Sequence, residues 1–126
     1  MKPKQLIEAA FQALENAHTP YSNYRVGAAL LCADGTVFKG CNVENASYGL
    51  TNCAERTAIF SAISAGKKEF QAIAIAASQN PPPFPCGACR QVLAEFCQPD
   101  FPVHVAKGEG YETITLDELL PHGFNL

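Results

Sequence analysis

Two short segments hold the side chains of this sequence that can do chemistry together. Asn52-Cys53-Ala54-Glu55-Arg56 sets a thiol two residues ahead of a carboxylate, and Pro85-Cys86-Gly87-Ala88-Cys89-Arg90 supplies a pair of thiols three residues apart. Each segment stands where a polar loop gives way to an apolar run of helical period, so each is expected to open a helix. Unpaired backbone N–H groups and the positive end of the helix dipole then favour thiolate over thiol at Cys53, Cys86 and Cys89. Three thiolates on two facing helix starts make a zinc site that is one protein ligand short, because no other cysteine or histidine lies near either segment at a usual spacing. An open fourth position, where water binds, separates a catalytic zinc from a closed structural one. Glu55 would stand beside that water.

Other readings of the same residues compete. With Asn52 as the N-cap, Glu55 occupies the third helical position, where the glutamate of a capping box belongs. A cap, however, asks nothing of Cys53, Cys86 or Cys89. The Cys86 and Cys89 pair alone also suits redox chemistry, which leaves Cys53 without a task. A noncatalytic zinc module would need His104 or His122 as fourth ligand, and neither stands at a familiar ligand spacing.

Asn42-Val43-Glu44-Asn45-Ala46, Cys53-Ala54-Glu55-Arg56 and Pro85-Cys86-Gly87-Ala88-Cys89-Arg90-Gln91 together resemble the cytidine deaminase family, of the small homotetrameric type. The likeness runs from Pro20-Tyr21-Ser22 to Leu119-Leu120-Pro121. A ligand two residues before a glutamate, followed later by Pro-Cys-x-x-Cys, is a pattern already described for zinc deaminases. The resemblance implies an α/β fold of three layers, α/β/α, around a mixed and mostly five-stranded sheet. It implies one zinc ion per chain on Cys53, Cys86 and Cys89, with Glu55 as the catalytic proton carrier. By the same likeness Asn42 and Glu44 bind ribose, and the backbone N–H of Ala54 donates to the base carbonyl. Arg56 donates to the thiolate sulfurs, where the alternative is a surface ion pair. Tyr24, at a position often phenylalanine in the family, lies against the nucleoside. Phe124 would reach into a neighbouring subunit's site in a homotetramer, unless it frays in solvent as a terminal residue.

The chemistry follows from these roles. Three thiolates leave a zinc ion with a net negative charge, which weakens its pull on water. Two helix N-termini and the Arg56 guanidinium offset this. Glu55 takes a proton from water brought toward a pKa of roughly 7, the oxygen attacks C4 of cytosine, and Glu55 passes protons to N3 and the departing amino group. Uridine and ammonia result. Blasticidin S deaminases carry the same zinc motifs, but Asn42 and Glu44 suit a free ribose, which favours cytidine and 2'-deoxycytidine.

The remaining sequence must position this machinery. A chain of 126 residues is expected to form one domain, residues 1–126. The net charge of -3 argues against a nucleic acid polymer as partner and leaves a small nucleoside. No run is apolar enough for a membrane span and no signal pattern opens the chain, so a cytoplasmic protein is expected. There thiols stay reduced, and Cys32, Cys41 and Cys97 are read as packed side chains. A helix over residues 4–17 would turn Leu6, Ile7, Ala10, Phe11 and Leu14 inward. A hairpin over 25–43 turns at Asp34-Gly35 and delivers Asn42 and Glu44 on one side of an extended chain. The helix over 53–65 should be buried on most sides, Phe60 included. The strand at 70–77 lies between helices, implying crossovers and parallel pairing. A proline-rich loop at 78–85 fixes the approach to Cys86. Beyond it come a helix over 86–97 that buries Val92, Leu93 and Phe96, strands at 103–106 and 111–115, and a capping box at Thr115-Leu116-Asp117-Glu118. Arg90 and Gln91 are expected to pair with loops or a partner chain, and His18 carries no chemistry.

Overall fold

The structure is a computed structural model describing residues 1–126. Its centre is a sheet of β1 (Val26–Cys32), β2 (Val37–Cys41), β3 (Phe70–Ala77), β4 (Pro102–Lys107) and β5 (Gly110–Thr115), in the order β2-β1-β3-β4-β5. Only the β3 and β4 pair is parallel. The expected parallel pairing thus holds on one side of β3. On the other side its neighbour is β1, which is antiparallel to both β2 and β3, so those two strands run the same way without touching.

The alternation along β3 assigns the layers. Ile73 and Ile75 face one way, and Ala72, Ala74 and Ala76 the other, as a period of two requires. The branched face, with Leu30, Val103 and Val105, is covered by α2 (Ala54–Ser64), α3 (Gly87–Phe96) and α4 (Leu116–Leu119). The alanine face receives α1 (Pro3–Ala13). This is the three-layer α/β/α arrangement around a mixed five-stranded sheet.

Small residues on the sheet demand small residues on the helix, which corrects the expected inward face of α1. Ala9, Ala10 and Ala13 pack inward with Leu6 and Ile7, while Phe11 is 43% exposed. At Gly27 the approach is so close that a Cβ would lie 2.0 Å from the Ala10 carbonyl oxygen. Phe60 and Phe96, also expected inside, are 46% and 38% exposed, because α2 and α3 bury narrower stripes around Ile59 and Leu93. Val92 is half-buried. The capping box of α4 forms as read, with Thr115 Oγ1 donating to Glu118 at 2.7 Å and the Thr115 N–H at 3.2 Å. No helix is long and apolar enough to cross a membrane.

Candidate active site

Since β2 and β3 run in the same direction, the chain leaves both at one edge of the sheet and re-enters each time through a helix. That edge, at the carboxyl ends of the strands, is where α/β folds gather ligands. Cys53 is the N-cap of α2, in extended conformation at φ -76° and ψ 155°, and Cys86 is the N-cap of α3 at φ -69° and ψ 169°. Cys89 follows in the first turn of α3 and is buried. With Cys53 rather than Asn52 as the cap, Glu55 falls at the second helical position and forms no side-chain cap. The capping reading of Glu55 therefore fails. Asn52 instead donates through Nδ2 to Thr57 Oγ1 at 3.1 Å.

The three sulfurs lie within 4.8 Å of one another, with Cys53 to Cys86 at 3.9 Å and Cys86 to Cys89 at 3.4 Å. Tetrahedral zinc with Zn–S bonds near 2.3 Å needs sulfurs about 3.8 Å apart, so this donor set fits the ion. His104 is bonded through Nδ1 to Thr113 Oγ1 on the neighbouring strand, and His122 is in the exposed tail. Neither joins the sulfur cluster, which removes the module closed by histidine.

Electrostatics divide the cluster. A hydrogen bond from Cys89, and after the opposing effect of burial the Arg56 guanidinium, draw Cys53 down to about 5. Its bond to Cys53 and its own burial push Cys89 the other way, well up. Arg56 Nη2 lies 3.2 Å from Cys53 Sγ, and its buried Nε has no partner. The ion pairs of the chain, Lys67 with Asp34 and Lys107 with Glu112, lie elsewhere, so Arg56 is committed to sulfur rather than to a surface carboxylate. Glu55 is 5% exposed, and burial first, then the charge of Cys53, raises its carboxyl to about 7. A carboxyl poised there can both take and return a proton near neutrality.

Glu55, Cys53, Ala54 and Cys86 open into a cavity of about 500 Å³. Asn42, Glu44, Tyr24 and Ser22 line the same cavity, and the proline loop from Pro81 to Phe84 completes the wall. Ala54 is wholly buried at the first helical position, where N–H groups lack an intrahelical acceptor. Asn42 Oδ1 accepts the Val26 N–H at 2.9 Å, and Nδ2 donates to the Tyr24 carbonyl at 2.9 Å. That leaves Asn42 one N–H and one lone pair. Glu44 Oε1 accepts the N–H groups of Tyr21 and Ser22 at 3.0 and 3.1 Å, while Oε2 accepts the Ser22 hydroxyl. These bonds, led by the hydroxyl, hold Glu44 below its ordinary pKa and leave one acceptor position on Oε2. Tyr24 lines the cavity and donates its hydroxyl to the Pro81 carbonyl at 2.5 Å.

Phe124 is not brought to this cavity. It is 69% exposed in a hollow shared with Phe60 and Phe96, its carbonyl accepting from Gln91 Nε2 at 3.0 Å. Arg90 donates to the Pro85 and Leu119 carbonyls at 2.7 and 2.8 Å, bracing the loop ahead of Cys86 as a structural residue. Ser22 and Val26 line the cavity without having been singled out from sequence, and the proline loop, read from sequence as the approach to Cys86, lines it as well. Only Ser22 carried a signal, its place in Pro20-Tyr21-Ser22 where the resemblance begins.

Residues 1–105 match a family model described as the cytidine and deoxycytidylate deaminase zinc-binding region. A cytidine deaminase of Halalkalibacterium halodurans is 54% identical over 125 residues, 98% of this chain and 95% of that protein. The crystal structure of cytidine deaminase from Burkholderia pseudomallei is similar at a TM-score of 0.93 and 52% identity, over 98% of this chain and all of that one, 100%. A crystal structure of the Mycobacterium tuberculosis cytidine deaminase gives a TM-score of 0.87 at 39% identity, over 100% of this chain and 99% of that one.

Proposed function

Since the chain belongs to the cytidine and deoxycytidylate deaminase family and is a zinc-binding hydrolytic deaminase, we propose that it converts cytidine and 2'-deoxycytidine to uridine and 2'-deoxyuridine with release of ammonia. The observation that carries this reading is one cavity lined both by Cys53 and Cys86 of the sulfur cluster with the buried Glu55 carboxyl and by Asn42 and Glu44, which keep hydrogen-bonding positions free. Cys53, Cys86 and Cys89 would hold the zinc ion, which would acidify a water toward a pKa of roughly 7. Glu55, held in the same wall, takes a proton from the attacking water and delivers it to ring N3. It then carries a second proton to the departing amino group, serving as base and acid in turn. The Ala54 N–H donates to the base carbonyl, and the Tyr24 ring lies against the nucleoside.

Counting donors and acceptors supports both sugars as substrates. Asn42 has one donor and one acceptor free, and Glu44 a single acceptor position. One hydroxyl that donates to Glu44 and accepts from Asn42 uses the free position of Glu44 and the free donor of Asn42. Cytidine and 2'-deoxycytidine share such a hydroxyl, so neither is excluded.

We place the activity in cytoplasmic pyrimidine salvage, in a single domain of residues 1–126 that works as a homotetramer. The exposed Phe60, Phe96 and Phe124 support a covered face, and the short aromatic tail supports Phe124 reaching a neighbouring site. The test follows ammonia release and the cytosine absorbance with purified protein. Glu55→Ala is expected to retain zinc and to lose turnover by about 10²–10⁴-fold. A wild-type protein that binds zinc and leaves both nucleosides intact overturns the reading.

A further inference from the structure

Glu44 lies beyond the last residue of β2, where no strand ladder fixes its side chain. The segment ahead of β1 fixes it instead. Tyr21 and Ser22 donate their backbone N–H groups to Oε1, and the Ser22 hydroxyl donates to Oε2. The same Ser22 oxygen accepts the Tyr24 N–H at 3.1 Å. One hydroxyl is therefore the junction between the carboxylate and the aromatic residue, and Ser22 borders the same cavity as both.

We propose that Ser22 is a positioning residue for sugar recognition, whose hydroxyl turns Glu44 so that its one free acceptor position faces the cavity, and which seats Tyr24 beside it. The inference rests on the deaminase reading and deepens it. The two backbone donors converge on one carboxylate oxygen and leave the carboxylate free to swing about that anchor. The hydroxyl fixes the second oxygen and with it the plane of the group. Without it the free lone pairs of Oε2 sweep solvent as well as substrate, so binding weakens while Glu55 and the cysteines, which take no hydrogen bond from Ser22, are unchanged.

Ser22→Ala is expected to raise KM for cytidine about tenfold, within the range for one ordinary hydrogen bond, with kcat nearly constant. Ser22→Thr, which keeps the hydroxyl, should restore most of the affinity. In a Glu44→Ala background the same Ser22→Ala change should cost much less, because the carboxylate it orients is gone and only the bond from the Tyr24 N–H remains to be lost. An equal KM penalty in both backgrounds, or a fall in kcat with KM unchanged, overturns the proposal. A second arm needs no turnover. The acid titration of the Glu44 carboxyl, followed by 13C NMR, should move upward in Ser22→Ala, since the hydroxyl contributes most to holding it low. His18 is the other titrating side chain that acts on Glu44, with a smaller effect, and it is present in both proteins. An unmoved titration sinks the Ser22 role even if the wild type is active. A moved titration in a protein that releases no ammonia leaves the role standing and discards the substrate.

Discussion

Replacing Gly40 by alanine tests whether the sheet sets the zinc geometry. Gly40 lies on β2 beneath α2, and a Cβ there would stand 2.4 Å from the Ala58 nitrogen and 2.5 Å from the Ala54 carbonyl oxygen. Both are helix backbone, which cannot rotate aside as a side chain can. Ordinary contact requires α2 to retreat by about 1 Å. Overpacking of this kind costs about 1–3 kcal/mol, or a fall in Tm of roughly 4–12 °C for a chain of this size. The displaced turn carries Cys53 and Glu55, whereas Cys86 and Cys89 ride on α3. The retreat therefore stretches the sulfur triangle along one edge and moves the carboxyl with it. A displacement of about 1 Å in a catalytic group lowers the rate by about 10²-fold, and zinc affinity should fall as well. Gly27→Ala is the matched control. Its Cβ would stand 2.0 Å from the Ala10 carbonyl oxygen, but on the opposite face, against α1, which holds no cavity residue. It should lose at least as much stability and keep its zinc affinity and its kcat per folded molecule. Gly110→Ala, with nothing within 4 Å of its Cβ, should change neither. Thermal melts, competition with a chromogenic chelator and steady-state kinetics on the three variants decide the matter. A Gly40→Ala protein that melts early yet binds zinc and turns over normally would refute the reasoning.

Arg56→Gln removes the charged donor 3.2 Å from Cys53 Sγ and should weaken zinc binding by about 10–100-fold in the same chelator assay; undiminished affinity would show that the helix dipoles suffice. Tyr24→Phe keeps the ring and deletes the bond to the Pro81 carbonyl, so urea unfolding should report a loss of about 0.5–1.5 kcal/mol. An unchanged midpoint there would mean that water replaces the hydroxyl without penalty. Burial holds His104 below its ordinary 6.5, so below that pH the unfolded chain binds the proton more readily than the folded one. Stability should be full above pH 6.5 and decline as the pH falls beneath it. Plots of stability against pH should be flatter in this window for His104→Gln, and an identical slope would assign the decline to other groups.

The parts of this protein legible in its sequence are those whose physics is local. Cysteine spacing, helix starts and the Thr115 capping box each concern a few neighbouring residues, and the family motifs added the order in which they occur. Side-chain exposure was less legible. Helical period locates the apolar stripe of α1, α2 and α3 but not the width that the chain itself covers. Phe11 is turned out by an alanine sheet face whose composition matters only once the strands are aligned. Ser22 and Glu44 meet across a sequence separation of 22, with no periodicity to announce it.

Least visible was the reason the two helix starts come together at a usable distance. Adjacent strands lie about 4.8 Å apart, while packed helix axes need about 8–10 Å. Had β2 and β3 paired directly, as a plain crossover suggests, α2 and α3 would have had to splay. Inserting β1 between them sets β2 and β3 about 10 Å apart, close to the spacing of two packed helices. The insertion has a second effect, because β1 runs the opposite way and begins where β2 and β3 end. Its entry segment, with Ser22, Tyr24 and Val26, is thereby delivered to the cavity that holds Cys53, Glu55 and Cys86. One antiparallel strand thus spaces the two helices that carry the cysteines and brings the segment of Ser22 and Tyr24 to them, a coupling that no window of the sequence contains.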